Sequence, residues 1–382
     1  MKNKSLLIIG VLLFVSLACA FVSNALQPNS NTSILSTPMA NISTSAIAET
    51  NIPKFAPIPR PAGLLGGGGL IVYYDDKDSA TIFTNPDGSG KPSISWDVYG
   101  FSLSWSSNGQ TLIGPLGPST SSIYRIRSDG TDYAQVTDAT QVEDPNMQIS
   151  QLTNYQISPD GKYIAYSYTS QTSAISKCAI ISIDGSNRQL VSAVNCAYDW
   201  SPDSSRLVLS ASEDPAHYSQ LFIFDLKRDN LTPLTPKVQG QFDSGARWLP
   251  DGSAIFFWRK QVISTINSTI DNYLIDPYGN DMRKCGFTCQ VWSPDASRLA
   301  YVDGGFQLYI ANSNNSNSTE ISHLDGMVWG IYWSPDGKYL AFNLKDRSTG
   351  DNDVYVISAD GKEYWPIANN AKDDENVIGW RP

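Results

Sequence analysis

The chain has 382 residues, with 10 Trp and 19 Tyr but only two histidines, and a formal net charge of −10. An acidic chain with a pI near 4.7 is a poor match for nucleic acid or an anionic lipid surface. Two histidines, His217 and His323, leave little room for histidine-based catalysis or metal chemistry.

Lys2 and Lys4 precede an apolar run over residues 6–18, too short for a comfortable membrane span, which reads as a secretory signal over residues 1–19. Two processing routes fit its end. Ser16-Leu17-Ala18-Cys19 resembles a bacterial lipobox, in which Cys19 is acylated and becomes the mature N-terminus; Ser16 stands where that motif prefers Leu. Ala18-Cys19-Ala20 equally satisfies the small-x-small rule for ordinary cleavage after Ala20. Residues 20–67 follow as a Ser-, Thr-, Asn- and Pro-rich tether with too few large apolar residues to bury a core, and are expected to be disordered. A flexible coil of ~40 residues spans roughly 35 Å on average.

From residue 68 to residue 382 the chain repeats itself. WSSNGQTLIG begins at Trp105, ISPDGKYIAY at Ile157, WSPDSSRLVL at Trp200, WLPDGSAIFF at Trp248, WSPDASRLAY at Trp292 and WSPDGKYLAF at Trp333. Each copy predicts a hairpin: Pro presets φ for a type I turn, and Gly accepts the left-handed position that follows. Ser204 and Ala296 occupy that position in two copies, at a cost of roughly 1 kcal/mol each. The apolar run after each turn hardly alternates, which predicts a second strand covered on both faces. A second element, a strand ending in a polar turn, recurs seven times, from Ala80, Ser122, Ala179, Leu221, Asn272, Gln307 and Asp353. Spacing of about 41–52 residues between hairpins predicts one four-stranded propeller blade per copy.

Six complete hairpins against seven third strands are reconciled at the ends. VIGWRP, residues 377–382, is a hairpin's first half, and GGLIVYY, residues 68–74, is a second half. The expectation is an all-β, seven-bladed β-propeller with one blade split between N- and C-terminal strands, which removes exposed sheet edges. A six-bladed ring with a frayed tail is the alternative.

The repeats resemble the TolB-type propeller family, also met in the N-terminal propellers of prolyl-oligopeptidase relatives. Trp200-Ser201-Pro202-Asp203, Trp292-Ser293-Pro294-Asp295, Trp333-Ser334-Pro335-Asp336-Gly337 and the strand from Tyr355 carry the resemblance, over about residues 68–382. It implies a fold and leaves function open. TolB has an α/β domain where this chain has a tether, and the peptidases add a hydrolase domain with a nucleophile elbow that is not found here.

No G-x-S-x-G occurs. In the GSGK of residues 88–91, Asn85 and Pro92 stand where a phosphate loop needs Gly and Ser/Thr, so it reads as a turn. No cofactor is expected. Acidic segments at residues 75–78, 351–353 and 373–375 are compatible with Ca²⁺ but lack the twelve-residue loop pattern, and read as solvated turns. Disulfides are permitted in an exported chain, and four cysteines allow three pairings. Local links, Cys178–Cys196 and Cys285–Cys289, are the reading adopted.

The first-to-second and third-to-fourth turns of a blade share one face of the ring, and here they are short. The second-to-third loops and inter-blade crossings share the other face and vary, as at residues 138–154, 212–219, 236–245 and 259–271. Variable loops on a rigid scaffold usually carry binding. Candidates there are Phe242, Arg247, His323 and Trp329, with Tyr198 near the channel mouth. The functional expectation is a non-catalytic, exported binding module of the bacterial cell envelope, monomeric and lipid-anchored or secreted, with a protein or glycan partner. A glycan- or sugar-acting enzyme with its site at the channel mouth, and a structural envelope component, are the alternatives.

Overall fold

The computed structural model describes residues 69–75, 77, 80–89, 93–94, 103–114, 122–127, 132–138, 149–170, 173–194, 196–212, 214–264, 266–285, 291–303, 306–314, 316–322, 326–347, 349–369 and 374–381. The signal and tether, with Cys19, lie outside these residues.

Within them the chain forms seven four-stranded antiparallel sheets. Blade 1 holds β1 (Leu70–Asp75), β2 (Ala80–Thr84) and β3 (Ser93–Ile94). Blade 2 holds β4 (Ser104–Trp105), β5 (Thr111–Gly114), β6 (Ser122–Arg127) and β7 (Ala134–Asp138). Blade 3 holds β8 (Ile149–Ile157), β9 (Tyr163–Ser170), β10 (Ser173–Ser182) and β11 (Gln189–Val194). Blade 4 holds β12 (Ala197–Trp200), β13 (Arg206–Ala211), β14 (Gln220–Asp225) and β15 (Asn230–Pro233). Blade 5 holds β16 (Gln241–Trp248), β17 (Ile255–Ser264), β18 (Asn267–Ile275) and β19 (Arg283–Cys285). Blade 6 holds β20 (Val291–Trp292), β21 (Arg298–Val302), β22 (Leu308–Asn312) and β23 (Thr319–Glu320). Blade 7 holds β24 (Gly326–Trp333), β25 (Tyr339–Asp346), β26 (Asn352–Ser358) and β27 (Tyr364–Ala368).

The last strand, β28 (Glu375–Arg381), completes blade 1 as its inner strand. It pairs with β1 in a register that sets Ile71 opposite Trp380 and Tyr73 opposite Val377. The ring is therefore seven-bladed with a split first blade, and the six-bladed alternative is excluded.

The turns obey the rule read from their sequences. Gly109, Gly161, Gly252 and Gly337 have φ between 64° and 74°, and the two exceptions, Ser204 (61°) and Ala296 (56°), take the same left-handed conformation. In the Ser-x-Asp copies the Ser hydroxyl donates to the Asp carboxylate (Ser201, Ser293 and Ser334 at 2.6–2.7 Å), and the carboxylate accepts the N–H two residues further on. These bonds hold the Asp295 carboxyl down at about 2, with the Ser293 hydroxyl as the largest cause.

Seven apolar clusters lie one at each blade-to-blade interface. Because successive side chains of a strand face opposite ways, Leu70 and Val72 of β1 join Leu112 and Ile126 of blade 2, while Ile71 and Tyr73 join Val354 and Val356 of blade 7. This double coverage explains the unbroken apolar runs of the second strands.

Candidate functional site

The two ends of the ring offer different surfaces. On the end carrying the second-to-third connections, the irregular features each have their own lock. In blade 5 the inner strand bulges between Ser244 and Arg247, with Gly245 at φ 64°. A Cβ there would lie 2.5 Å from Trp258 Nε1, so only Gly fits. Below the bulge, fully buried Asp243 receives Arg259 in a two-pronged pair, Nε to Oδ1 at 2.6 Å and Nη2 to Oδ2 at 2.9 Å. The guanidinium lies over the Phe257 and Tyr273 rings at 5.4 and 5.2 Å. Phe242 sits beside this pair, half-buried, in an isolated parallel bridge to Ser219. His217 belongs to the same loop; it is exposed, and its Nδ1 lies 2.8 Å from Asp214.

Blade 7 repeats the device at Gly330 (φ 60°), where an added Cβ would lie 2.6 Å from Asn343 Nδ2. Buried Asn343 accepts the Val377 N–H through Oδ1 at 2.7 Å, tying blade 7 to the closing strand. Trp329 precedes this bulge and pairs with Asn343 in the ladder. His323 lies outside the described residues.

Residues 259–271 depart from the expectation of a loop. They are strand: β17 and β18 pair as far as Ser264 opposite Asn267, leaving a two-residue connection. Val, Ile and Thr supply the β-branched side chains that favour this, and the polar residues between them had masked it. The inner strand β16 reaches only to Gln261 and the outer strand β19 only to Asn272, so the hairpin projects beyond its blade. Its end is apolar and bare: Ile263 is 61% exposed and Ile266 96%, with Val262 beside them and Ile270, 60% exposed, lower down opposite Lys260.

The opposite end of the ring carries the short turns, and there the inner strands finish against the central channel. Arg247 belongs here and not on the variable face, because it is the penultimate residue of β16, next to the Leu249–Gly252 turn. In blades 2, 3 and 4 the penultimate inner-strand residue reaches toward the next blade. Ser104 Oγ accepts the Ile157 N–H at 3.1 Å, Gln156 Nε2 donates to Asp199 Oδ1 at 3.1 Å, and Asp199 Oδ2 accepts the Trp248 N–H at 2.8 Å. Burial pushes the Asp199 carboxyl up, and Arg247, the Trp248 N–H and Gln156 pull against it. Burial also raises the Tyr332 phenol, again opposed by Arg247. Arg247 itself is exposed and makes no ion pair or hydrogen bond with a described residue. Tyr198 is a wall residue, buried against the Cys178 and Cys196 cluster, and burial holds its phenol well above its ordinary range.

Cys178 and Cys196 are bonded, with Cα atoms 6.3 Å apart. Cys178 lies in the middle of β10, not at its start, and the link ties that strand to the crossing into blade 4. The Cys285–Cys289 pairing is not formed: β19 holds Cys285 opposite Asn272 as a free thiol, which burial pushes up to about 11, and Cys289 lies outside the described residues. Near the acidic segments, Asp374 Oδ1 accepts from the Asn352 backbone at 3.0 Å and its side chain at 3.2 Å. Among the described residues no three His, Cys, Asp or Glu side chains converge to hold a metal ion.

No family model matches the chain. An uncharacterized protein of Agrobacterium fabrum is 29% identical over 86 residues, which are 22% of this chain and 29% of that protein, so the match spans under a third of the relative's length. Among solved structures, an oligogalacturonate lyase from Vibrio parahaemolyticus aligns over 75% of this chain and 90% of its own, at 11% identity and a TM-score of 0.56. A prolyl endopeptidase aligns over 78% of this chain and 42% of its own, at 14% identity and a TM-score of 0.51. TolB from Acinetobacter baumannii aligns over 85% of this chain and 68% of its own, at 17% identity and a TM-score of 0.43. What is shared at these identities is the propeller fold.

Proposed function

We propose that this chain is a non-catalytic, exported β-propeller of the bacterial cell envelope that binds a protein partner through its variable face. The observation that carries the reading is the projecting β17–β18 hairpin, with Ile263 and Ile266 bare at its tip and Ile270 bare below them. Apolar side chains held clear of the core by a paired backbone cost solubility and gain nothing in folding, so they point to a partner. One feature favours a protein over a lipid surface: the acidic chain is repelled by anionic lipid.

The test is a photo-crosslinking side chain placed at Ile266 in the full-length chain within its native envelope. A discrete protein adduct is expected from Ile266, lost when Ile263 and Ile270 become Ser, and absent with the probe at Tyr278, an exposed turn residue of the other face. Equal labelling from both positions, or adducts to lipid alone, refutes the reading. Anchoring is checked separately: wild type incorporates labelled fatty acid and Cys19→Ser does not, whereas a soluble product beginning at Phe21 refutes acylation.

A further inference from the structure

One short turn departs from the others in a single side-chain group. The hairpin turns of blades 3–7 place an aspartate before the left-handed residue, at Asp160, Asp203, Asp251, Asp295 and Asp336, and the blade 2 turn places Asn108 there. Asn108 imitates those aspartates bond for bond. Its Oδ1 accepts the Ser106 hydroxyl at 2.7 Å and the Gln110 N–H at 3.0 Å. Asp160 Oδ1 accepts the Ser158 hydroxyl and the Lys162 N–H at 2.7 and 3.1 Å in the same way. The next residue is Gly109, left-handed at φ 64°, whose N–H donates to the Ser106 carbonyl at 2.8 Å. This is the one Asn-Gly pair in the chain, and the Asn108 side is exposed to water.

An amide side chain followed by glycine has a reaction open to it. The nucleophile is already attached, and without a Cβ on Gly109 nothing holds it away from the side-chain carbonyl. The Gly109 nitrogen bonds to Asn108 Cγ and gives its proton to solvent base; the Cγ–Nδ2 bond breaks and ammonia leaves, closing a succinimide. Water then reopens the ring. Attack at Cγ breaks its bond to the Gly109 nitrogen and leaves an ordinary aspartate. Attack at the main-chain carbonyl leaves isoaspartate, with an extra methylene in the backbone. Nothing is oxidised or reduced, and an uncharged amide becomes a carboxylate.

We propose that Asn108 is a self-modification site, which deamidates in the folded ring to aspartate and completes the pattern of the other five turns. The fold acts on the reaction twice. It brakes the first step, because Gly109 N–H must leave the Ser106 carbonyl and Asn108 Oδ1 must leave its two donors. It also selects the product. A carboxylate at this position takes over both donors as a charged acceptor, which strengthens them, as at Asp295, whose carboxyl the Ser293 hydroxyl holds down at about 2. Isoaspartate lengthens the turn and loses those bonds, and with them the Ser107 N–H bond to the Pro159 carbonyl of blade 3 at 3.2 Å. The site lies on the short-turn face of blade 2, so it stands or falls independently of the protein-binding hairpin.

The test is peptide mass mapping of the full-length protein, held folded at mildly alkaline pH in heavy-oxygen water. Amide-to-acid exchange with uptake of one heavy oxygen is expected at Asn108, ahead of the exposed Asn267 and Asn317, each followed by Ser. Labelling by an isoaspartyl methyltransferase should show a smaller isoaspartate share in the folded protein than in the urea-unfolded chain. Ser106→Ala removes one braking bond and should quicken exchange about two- to tenfold, the factor set by a hydrogen bond of about 0.5–1.5 kcal/mol. Asn108→Asp should melt at or above wild type. Circular dichroism reports whether each variant is folded, and the wild-type readouts decide the matter if Ser106→Ala is not. Retention of the amide in the folded protein while the unfolded chain converts overturns the proposal. So does earlier exchange at Asn267 or Asn317, an equal isoaspartate share in the two states, or an unchanged rate in folded Ser106→Ala.

Discussion

The two faces of the ring solve the same problem by opposite means. On the short-turn face one device recurs: a Ser-x-Asp turn, a left-handed fourth residue, and stitches to the next blade. Trp200 and Trp333 donate through Nε1 to the carbonyls of Gln156 and Val291 of the preceding blades, at 3.1 and 2.9 Å. Arg206 and Arg298 lie over Trp248 and Trp333 at 4.8 and 5.0 Å. On the variable face no two locks are alike: a disulfide in blade 3, a buried Asp243–Arg259 pair in blade 5, an Asn343 clamp in blade 7. Stability spread over repeated small contacts tolerates the loss of any one. Each unique lock has no second copy to share its load, and loops between such locks are free to diverge.

The comparison is broken most severely by removing the strand that serves both faces. Deleting residues 376–382 takes Val377 and Trp380 from the blade 7–blade 1 core, about 1.5–3 kcal/mol each, and uncovers Ile71 and Tyr73. The total approaches a typical folding stability of about 5–15 kcal/mol, so the truncated chain should unfold, aggregate or become protease-sensitive. A melting temperature within a few degrees of wild type would falsify the closure. Next in size is a unique lock. Cys178→Ser opens a link between residues 18 apart in sequence, which should cost about 3 kcal/mol in denaturant titration. Addition of reductant should bring wild type to the same value.

Single turns should matter less, and they should disagree with one another. Ala296→Gly relieves a left-handed Ala and should gain up to about 1 kcal/mol. Ser204→Gly relieves the same strain but loses the hydroxyl that accepts the Asp160 N–H of blade 3 at 2.9 Å, so its midpoint should not rise. Equal gains in both would show that this stitch contributes nothing. The smallest effect is expected at the hairpin tip. Ile263→Ser with Ile266→Ser touches no core, and the midpoint should hold within about 0.5 kcal/mol while partner crosslinking is lost. A drop in stability there would mean that the tip packs on the ring and is not free to bind.

Legibility in the sequence follows the same division. Turns at Ser204 and Ala296, second strands covered twice, and the pairing of VIGWRP with residues 70–74 could all be read because each depends on local chemistry repeated many times. The Cys178–Cys196 link was within reach because its partners flank one strand. The Asp243–Arg259 and Asn343–Val377 contacts were not, since each joins residues from different strands and occurs once. Gly245 and Gly330 were signals that could have marked the bulges, being glycines inside strand patterns. Arg247 was placed on the variable face and lies at the other end, because its place depends on where β16 begins. The projecting hairpin, residues 259–271, was expected as a variable loop and is paired strand.

The split blade sets a clock on the protein's biogenesis. Tyr73 waits for Val377, about 300 residues later, before its side chain has both walls. At a synthesis rate of about 5–20 residues per second, the first blade spends roughly 15–60 s incomplete. During that interval β1 presents the open edge and apolar face that the finished ring conceals. A chain that cannot close until its last strand arrives reaches its folded state only once residues 375–381 are made.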